Sequence, residues 1–143
     1  MQKIVLILGL FLASCGPAFD VDPVIVDADL VRYVEMYKAE KLVYRGIKYI
    51  HRIDVVFVTM SKGIMAQCKI SSDSTRQIQI DPYIWYTELS EIDRQILVFH
   101  EMGHCDLNLD HMSNIGIMGP QTMNDILYLT DKDLYLRQLF KVK

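Results

Sequence analysis

Two histidines and a glutamate stand at a spacing that can bind a metal ion, since residues 100 to 104 read His-Glu-Met-Gly-His. Four residues advance an α-helix by about 400° and about 6 Å, so His100 and His104 lie on one face and both imidazoles reach one ion. Glu101 projects from the flank of that face, where its carboxylate can take a proton from a zinc-bound water and pass it to a leaving amine. The spacing predicts metal-assisted hydrolysis if this segment is helical.

Two imidazoles do not hold a catalytic zinc ion tightly, so a third protein ligand is required. In one class of enzymes with this motif the third ligand is a Glu on a later helix, which is excluded here because no Glu follows Glu101. The nearest remaining candidates are Asp110 and His111. Three carboxylates further along the chain also remain open, namely Asp125, Asp131 and Asp133.

The segment from His100 to His111 resembles the metzincins, a clan of zinc peptidases with the pattern HExxHxxGxxH followed by a Met-turn. The Gly of that pattern ends the helix in a left-handed conformation, and the last His returns to the metal. Here Gly is absent and the third His comes one residue late. Asn108 tolerates the left-handed conformation and stands three residues before His111. The resemblance therefore implies one catalytic zinc ion on His100, His104 and His111, with Asp110 as the alternative third ligand.

A second part of the resemblance follows, in Asn-Ile-Gly-Ile-Met-Gly-Pro at residues 114 to 120. It resembles the Met-turn, which implies that the Met118 side chain forms an apolar floor beneath the three ligands. The likeness to small matrixin-related bacterial peptidases covers roughly residues 76 to 120. It implies an antiparallel edge strand that pairs with an extended substrate, the alternative being an edge strand blunted by polar residues. That strand would comprise Gln77, Ile78, Gln79 and Ile80.

The first fifteen residues predict export. Lys3 precedes nine apolar residues, 4 to 12, which are too few to span a bilayer as a helix. Leu-Ala-Ser-Cys at residues 12 to 15 resembles the lipobox of bacterial lipoproteins, which implies cleavage before Cys15 and lipid on its sulfur. We therefore expect a signal peptide at 1–14, a tether at 15–26 and a peptidase domain at 27–143. The expected location is the bacterial cell envelope, at the outer membrane or cell surface in a diderm.

The elements around the motif predict an α+β domain. An apolar period predicts a helix from Asp27 to Arg45, and β-branched or alternating runs predict strands at 54–60, 64–70 and 76–81. A capping box at Ser90 opens the motif helix. An irregular segment runs from 108 to about 122, and a last helix ends at Phe140. The resemblance implies a small metzincin-like domain with a short, twisted mixed sheet between its N-terminal, active-site and C-terminal helices.

Composition sets limits on partners. The chain has 143 residues, 51% of them hydrophobic, a net charge of −3 and a pI near 5.7, which indicate one domain with no basic surface for nucleic acid. Cys68 and Cys105 are either a disulfide or two buried thiols.

We expect a monomeric zinc endopeptidase that acts on a peptide or protein and contacts the membrane through Cys15. The alternative is a non-catalytic metal-binding lipoprotein module.

Overall fold

The computed structural model describes residues 24–47, 50–112, 116–121 and 123–141. The fold is a small α+β domain with five helices and a three-stranded mixed sheet in the described ranges, which confirms the predicted class. Its elements are α1 (Ala28–Arg45), β1 (Ile53–Phe57), β2 (Ala66–Ile70), β3 (Arg76–Ile80), α2 (Pro82–Thr87), α3 (Glu91–Cys105), α4 (Asp125–Thr130) and α5 (Lys132–Phe140). The predicted signal peptide and Cys15 lie outside the described residues. Among the helices of the described part, none is long and apolar enough to cross a membrane.

The sheet has the order β1-β3-β2. β1 pairs with β3 in parallel, and β2 pairs with β3 in antiparallel fashion. The alternation predicted for β3 is confirmed, because Ile78 and Ile80 are buried while Gln77 and Gln79 are half-buried. The prediction that this segment is an edge strand is wrong, since β3 has a neighbour on each side. Alternation reports which face of a strand is buried, but it carries no information on which strands pair.

The chain before α1 is also part of the sheet. Val26 forms a parallel bridge with Val55 of β1. The Val55 N–H donates to the Ile25 carbonyl at 2.8 Å, and the Asp27 N–H donates to the Val55 carbonyl at 3.0 Å. The predicted tether is therefore wrong at its last residues, and the folded domain begins before residue 27.

The predicted helix at 27–45 and the predicted motif helix are confirmed as α1 and α3. α1 buries Leu30, Val34 and Tyr37 and ends at Gly46, which has the left-handed φ of 67° that Gly adopts without strain. α3 begins with the predicted capping box, in which Ser90 and Asp93 each accept a main-chain N–H of the other. α3 contacts the sheet, α1 and α4, so the motif helix lies at the centre of the domain.

Two short helices and one packing position differ from prediction. α2 starts at Pro82, where the sequence indicated only the end of a strand, because the Asp81 carboxylate accepts the N–H groups of Tyr83 and Ile84. α4 occupies a segment with no predicted element. In α5 the sequence predicts that Leu134 packs in the core with Leu136, Leu139 and Phe140; those three are buried, but Leu134 is 48% exposed. Short helices have too few turns for a period to be visible.

A buried ionic cluster joins α1 to the end of α3. The Asp106 carboxylate accepts hydrogen bonds from the Tyr37 hydroxyl at 2.9 Å, the Lys41 ammonium at 2.6 Å and the His51 N–H at 3.0 Å. Lys41 is only 6% exposed and the Asp106 side chain is fully buried. Burial, together with the neighbouring Asp106, raises the pKa of the Tyr37 hydroxyl, which therefore remains a donor. The cluster places the last turn of the metal-motif helix against α1.

We expect Asp106→Ala to lower the free energy of unfolding by about 3 to 5 kcal/mol, because it removes the carboxylate that compensates a buried ammonium. Urea denaturation followed by circular dichroism measures this loss. Asp133→Ala is the matched control, since Asp133 pairs with Arg137 at the surface and such pairs contribute about 0 to 1 kcal/mol. Equal losses of unfolding free energy in the two variants would contradict the role of Asp106 as the charge that compensates Lys41.

Candidate metal centre

Three histidines converge at the C-terminal half of α3. His100 and His104 project from successive turns of the helix, and His111 reaches them from the loop that follows. The His100 Nε2 atom lies 3.1 Å from Nε2 of His104 and 3.2 Å from Nε2 of His111. The structure thus brings the three predicted ligands together as a group that can hold a metal ion. Asp110 is exposed at the rim of the adjoining cleft and is not a member of this group.

The hydrogen bonds of the other ring nitrogens determine which atoms face the centre. His100 Nδ1 lies 2.6 Å from the Ile117 carbonyl, and His104 Nδ1 lies 2.5 Å from the Leu109 carbonyl. A carbonyl can only accept, so Nδ1 carries the proton in both rings and Nε2 carries the lone pair. Burial lowers the pKa of both rings, which keeps them neutral. The Nε2 lone pairs of His100 and His104 therefore face the centre.

This arrangement fits a tetrahedral zinc ion. Zn–N bonds of about 2.05 Å separate two ligand nitrogens of a tetrahedron by about 3.3 Å. The observed separations of 3.1 and 3.2 Å are close to that value. Lone pairs that face each other at this distance repel unless a cation lies between them. Three protein nitrogens also leave a fourth position for water or substrate, as in catalytic sites.

The turn after α3 brings His111 back to the helix. Asn108 has a left-handed φ of 51°, as predicted for the residue that replaces the Gly of the metzincin pattern. The Leu109 N–H returns to the Gly103 carbonyl at 3.0 Å. Arg76 of β3 donates to the Cys105 carbonyl and, at 2.8 Å, to Oδ1 of Asn108. Arg76 was predicted only as the first residue of a strand, and nothing in its sequence context indicates that it reaches the end of a helix.

The segment at 116–120 lies against α3 at the level of the histidines. The Met118 thioether occupies the space where Gly103 lacks a side chain, since a Cβ there would lie 2.2 Å from the Met118 sulfur. The Met118 carbonyl accepts the Met112 N–H at 2.9 Å, which fastens the loop carrying His111. Met118 thus packs against α3 between the turns that carry His100 and His104, and its segment also holds the loop of His111.

We expect Gly103→Ala to destabilise the protein by about 1 to 3 kcal/mol, because the new methyl group overpacks against Met118. Elsewhere in a helix the same change is stabilising by about 1 kcal/mol. Adding Met118→Ala removes the obstructing sulfur, so the double variant will be more stable than the sum of the two single changes indicates. Urea denaturation of the four proteins gives this coupling, and a coupling of zero would contradict the contact.

Glu101 lies beside the histidines in a cleft of about 880 Å³. Its side chain is 5% exposed, and among the described residues its Oε2 atom has no hydrogen-bond partner. Burial raises the pKa of this carboxyl to about 7, and the main-chain N–H of Cys68 offsets part of that rise. A buried carboxylate with an unpaired oxygen costs stability, and a pKa near neutrality suits a group that must both accept and donate a proton.

No protein-family model, curated protein or solved structure matches this chain.

Other residues of types that often occur in active sites lie outside the histidine group. His51 belongs to the Asp106 cluster, and Trp85 is buried in the core with its ring edge against Tyr33. Tyr128 is buried and accepts a hydrogen bond from Gln95, and Tyr135 is also buried, so both belong to the core. The more distant carboxylates Asp125, Asp131 and Asp133 are not part of the histidine group. Cys68 and Cys105 form a disulfide between β2 and α3, which answers the question that their spacing left open.

We expect Glu101→Gln to stabilise the metal-free protein at alkaline pH. A carboxyl whose pKa rises on folding from 4.5 to about 7 contributes stability below pH 4.5, and that contribution is lost as the pH rises through 7. The wild-type protein will therefore lose about 3 kcal/mol relative to the variant between pH 4 and pH 8. Urea denaturation at both pH values measures the difference, and a pH-independent difference would contradict it.

Proposed function

We propose that this protein is a zinc-dependent endopeptidase of the metzincin type. The observation that carries the proposal is the convergence of three histidine Nε2 atoms beside the buried carboxylate of Glu101, in a cleft bounded by a sheet edge. A structural zinc site is closed by four protein ligands, whereas three ligands and an adjacent buried carboxylate with one unpaired oxygen favour hydrolysis.

The residues divide the chemistry between them. Zinc, when bound, supplies Lewis acidity that activates water and polarises a carbonyl. His100, His104 and His111 hold it as neutral imidazoles, and the main-chain carbonyls behind His100 and His104 orient those two rings. Glu101 takes a proton from the attacking water and passes it to the nitrogen of the leaving amine. Met118 supports the ligands from beneath α3.

We propose that an extended substrate pairs with β2, and not with β3 as the sequence had suggested, because β2 lies at the edge of the described sheet. Main-chain hydrogen bonds at both ends of the ladder set the register of β2 with β3. The Asp81 N–H donates to the Met65 carbonyl, and the Ser71 N–H donates to the Thr75 carbonyl. Paired and unpaired residues alternate in an antiparallel ladder, so both main-chain groups of Ala66 and the carbonyl of Cys68 point away from β3 toward the open edge, while the Cys68 N–H bonds to the Glu101 carboxylate. An extended peptide that adds to this edge places its scissile bond over the histidines.

The residues that line the cleft also determine which substrate side chains it accepts. Ile96, Leu97 and Ile117 supply an apolar wall beside the histidines. Among the described residues that line the cleft, Glu101 and Asp110 are the carboxylates and there is no Lys or Arg. We therefore infer a preference for a large apolar residue next to the scissile bond and a low rate on acidic peptides.

The lipid anchor is part of the proposal. Eight residues lie between Cys15 and Val24, where the described structure begins, and the nine Cα-to-Cα steps cover at most about 31 Å when extended. Lipid on Cys15 would hold the domain close to the membrane surface of the bacterial envelope. Expression in the presence of an alkyne-labelled fatty acid should label the wild-type protein and leave Cys15→Ala unlabelled, and equal labelling would contradict the anchor.

Metal removal tests the enzymatic function. We expect the chelator-treated protein to lose cleavage of an unfolded protein substrate and to regain it with about one equivalent of zinc. Cleavage that is unaffected by metal removal would contradict the proposal.

A further inference from the structure

The disulfide connects the two walls of the cleft. Cys68 lies in the middle of β2, and Cys105 is the last residue of α3, directly after His104. Cys105 is fully buried, whereas Cys68 is half-buried and lines the cleft. The bond therefore joins the strand that presents main-chain groups to the cleft with the helix that carries two of the histidines.

Apart from the disulfide, β2 is held by its pairing with β3 and by its packing against α3. It is five residues long and pairs with β3 along one side, and its last residue, Ile70, is 52% exposed. Its central residue also interacts with the general base, since the Cys68 N–H points to the Glu101 carboxylate. A shift of β2 away from α3 would alter the edge available to a peptide and the donor on Glu101 at the same time.

The histidine group does not depend on β2. Its members lie on α3 and the following loop, and the carbonyls that orient His100 and His104 belong to Ile117 and Leu109. Separation of β2 from α3 therefore leaves the metal ligands and their hydrogen bonds in place.

We propose that the Cys68–Cys105 disulfide is a positioning element that holds β2 against α3, so that peptide cleavage requires the oxidised protein while metal binding does not. The inference rests on the proposed peptidase function and adds a redox requirement to it. Reduction by a phosphine breaks the S–S bond, oxidises phosphorus to the phosphine oxide with oxygen from water, and leaves the two hydrogens on the sulfurs.

The test compares the zinc-loaded full chain before and after treatment with a water-soluble phosphine. We expect about one equivalent of zinc in both forms, a fall in kcat/KM of at least tenfold on reduction, and at least tenfold faster amide hydrogen exchange across residues 66–70. Reoxidation should restore the rate. The Cys68→Ala/Cys105→Ala variant should behave as the reduced form and should not respond to the phosphine.

A matched control separates positioning from general loss of stability. Val55→Ala removes buried apolar volume from β1, which lies on the other side of β3 from β2 and does not line the cleft, and it should leave kcat/KM within twofold of wild type. Loss of zinc on reduction, or a rate unchanged by reduction, would overturn the inference. If the oxidised protein cleaves nothing, the peptidase proposal fails, and amide exchange still decides the positioning role, because unchanged exchange in β2 overturns it.

Discussion

Glu101→Gln is expected to lower kcat for peptide hydrolysis by at least about a thousandfold while about one zinc ion stays bound. The amide keeps the shape of the side chain but cannot take a proton from water. The metal should remain, because Glu101 is not one of the three residues whose ligand atoms converge. The expected combination is therefore a folded, zinc-containing and inactive protein.

Steady-state kinetics on one peptide, together with zinc quantification, measures this effect. Glu91→Gln is the matched control, since it makes the same chemical change in the first turn of the same helix, where the side chain is exposed and paired with Arg32. Glu91→Gln should retain the wild-type rate. A Glu101→Gln variant within tenfold of wild type would show that another group activates the water.

His111→Ala is expected to weaken zinc binding by at least about a hundredfold and to abolish cleavage with it, because two imidazoles remain where three converged. Asp110→Ala should leave zinc affinity within a fewfold of wild type, since Asp110 lies outside the histidine group. The two residues are neighbours on one loop, so the comparison separates ligation from effects on the loop.

Competition with a chromophoric chelator gives both affinities. The opposite outcome, in which Asp110→Ala loses the metal and His111→Ala keeps it, would show that Asp110 is the third ligand and that the loop rearranges when zinc binds.

The motif helix was predictable because several local signals agree on it. The capping box at Ser90, the apolar period that follows and the His-x-x-x-His spacing all point to one helix with one functional face. The left-handed turn at Asn108 was also predictable, since few residue types tolerate that conformation. These features depend on residues close together in the chain, and a single sequence contains that information.

The long-range features were not predictable from the same sequence. The alternation of β3 identified its buried face, but its central position depends on pairing with β1 across a separation that no local pattern encodes. Arg76 and Asp106 support the end of α3 through contacts with residues about 30 to 65 positions away. A single charged residue gives no signal for such contacts, and its partner becomes evident once the elements are placed.

The stability that the metal-free domain loses at this site is consistent with a functional role. A buried carboxylate with an unpaired oxygen and the facing Nε2 lone pairs of His100 and His104 each lower the stability of the metal-free domain. Elsewhere the described core pairs its charges, as at Asp106 and Lys41. A bound cation would compensate the facing lone pairs, and its charge would also lower the cost of an ionised Glu101.

The most direct test of the central claim is exposure of a mixed peptide library to the zinc-loaded protein, with mass spectrometry to map the new termini and zinc measured in the same sample. We predict internal cleavage next to large apolar residues, with about one zinc ion per chain. Zinc at that stoichiometry with every peptide intact would contradict the peptidase account and would favour a metal-binding module on the same three histidines.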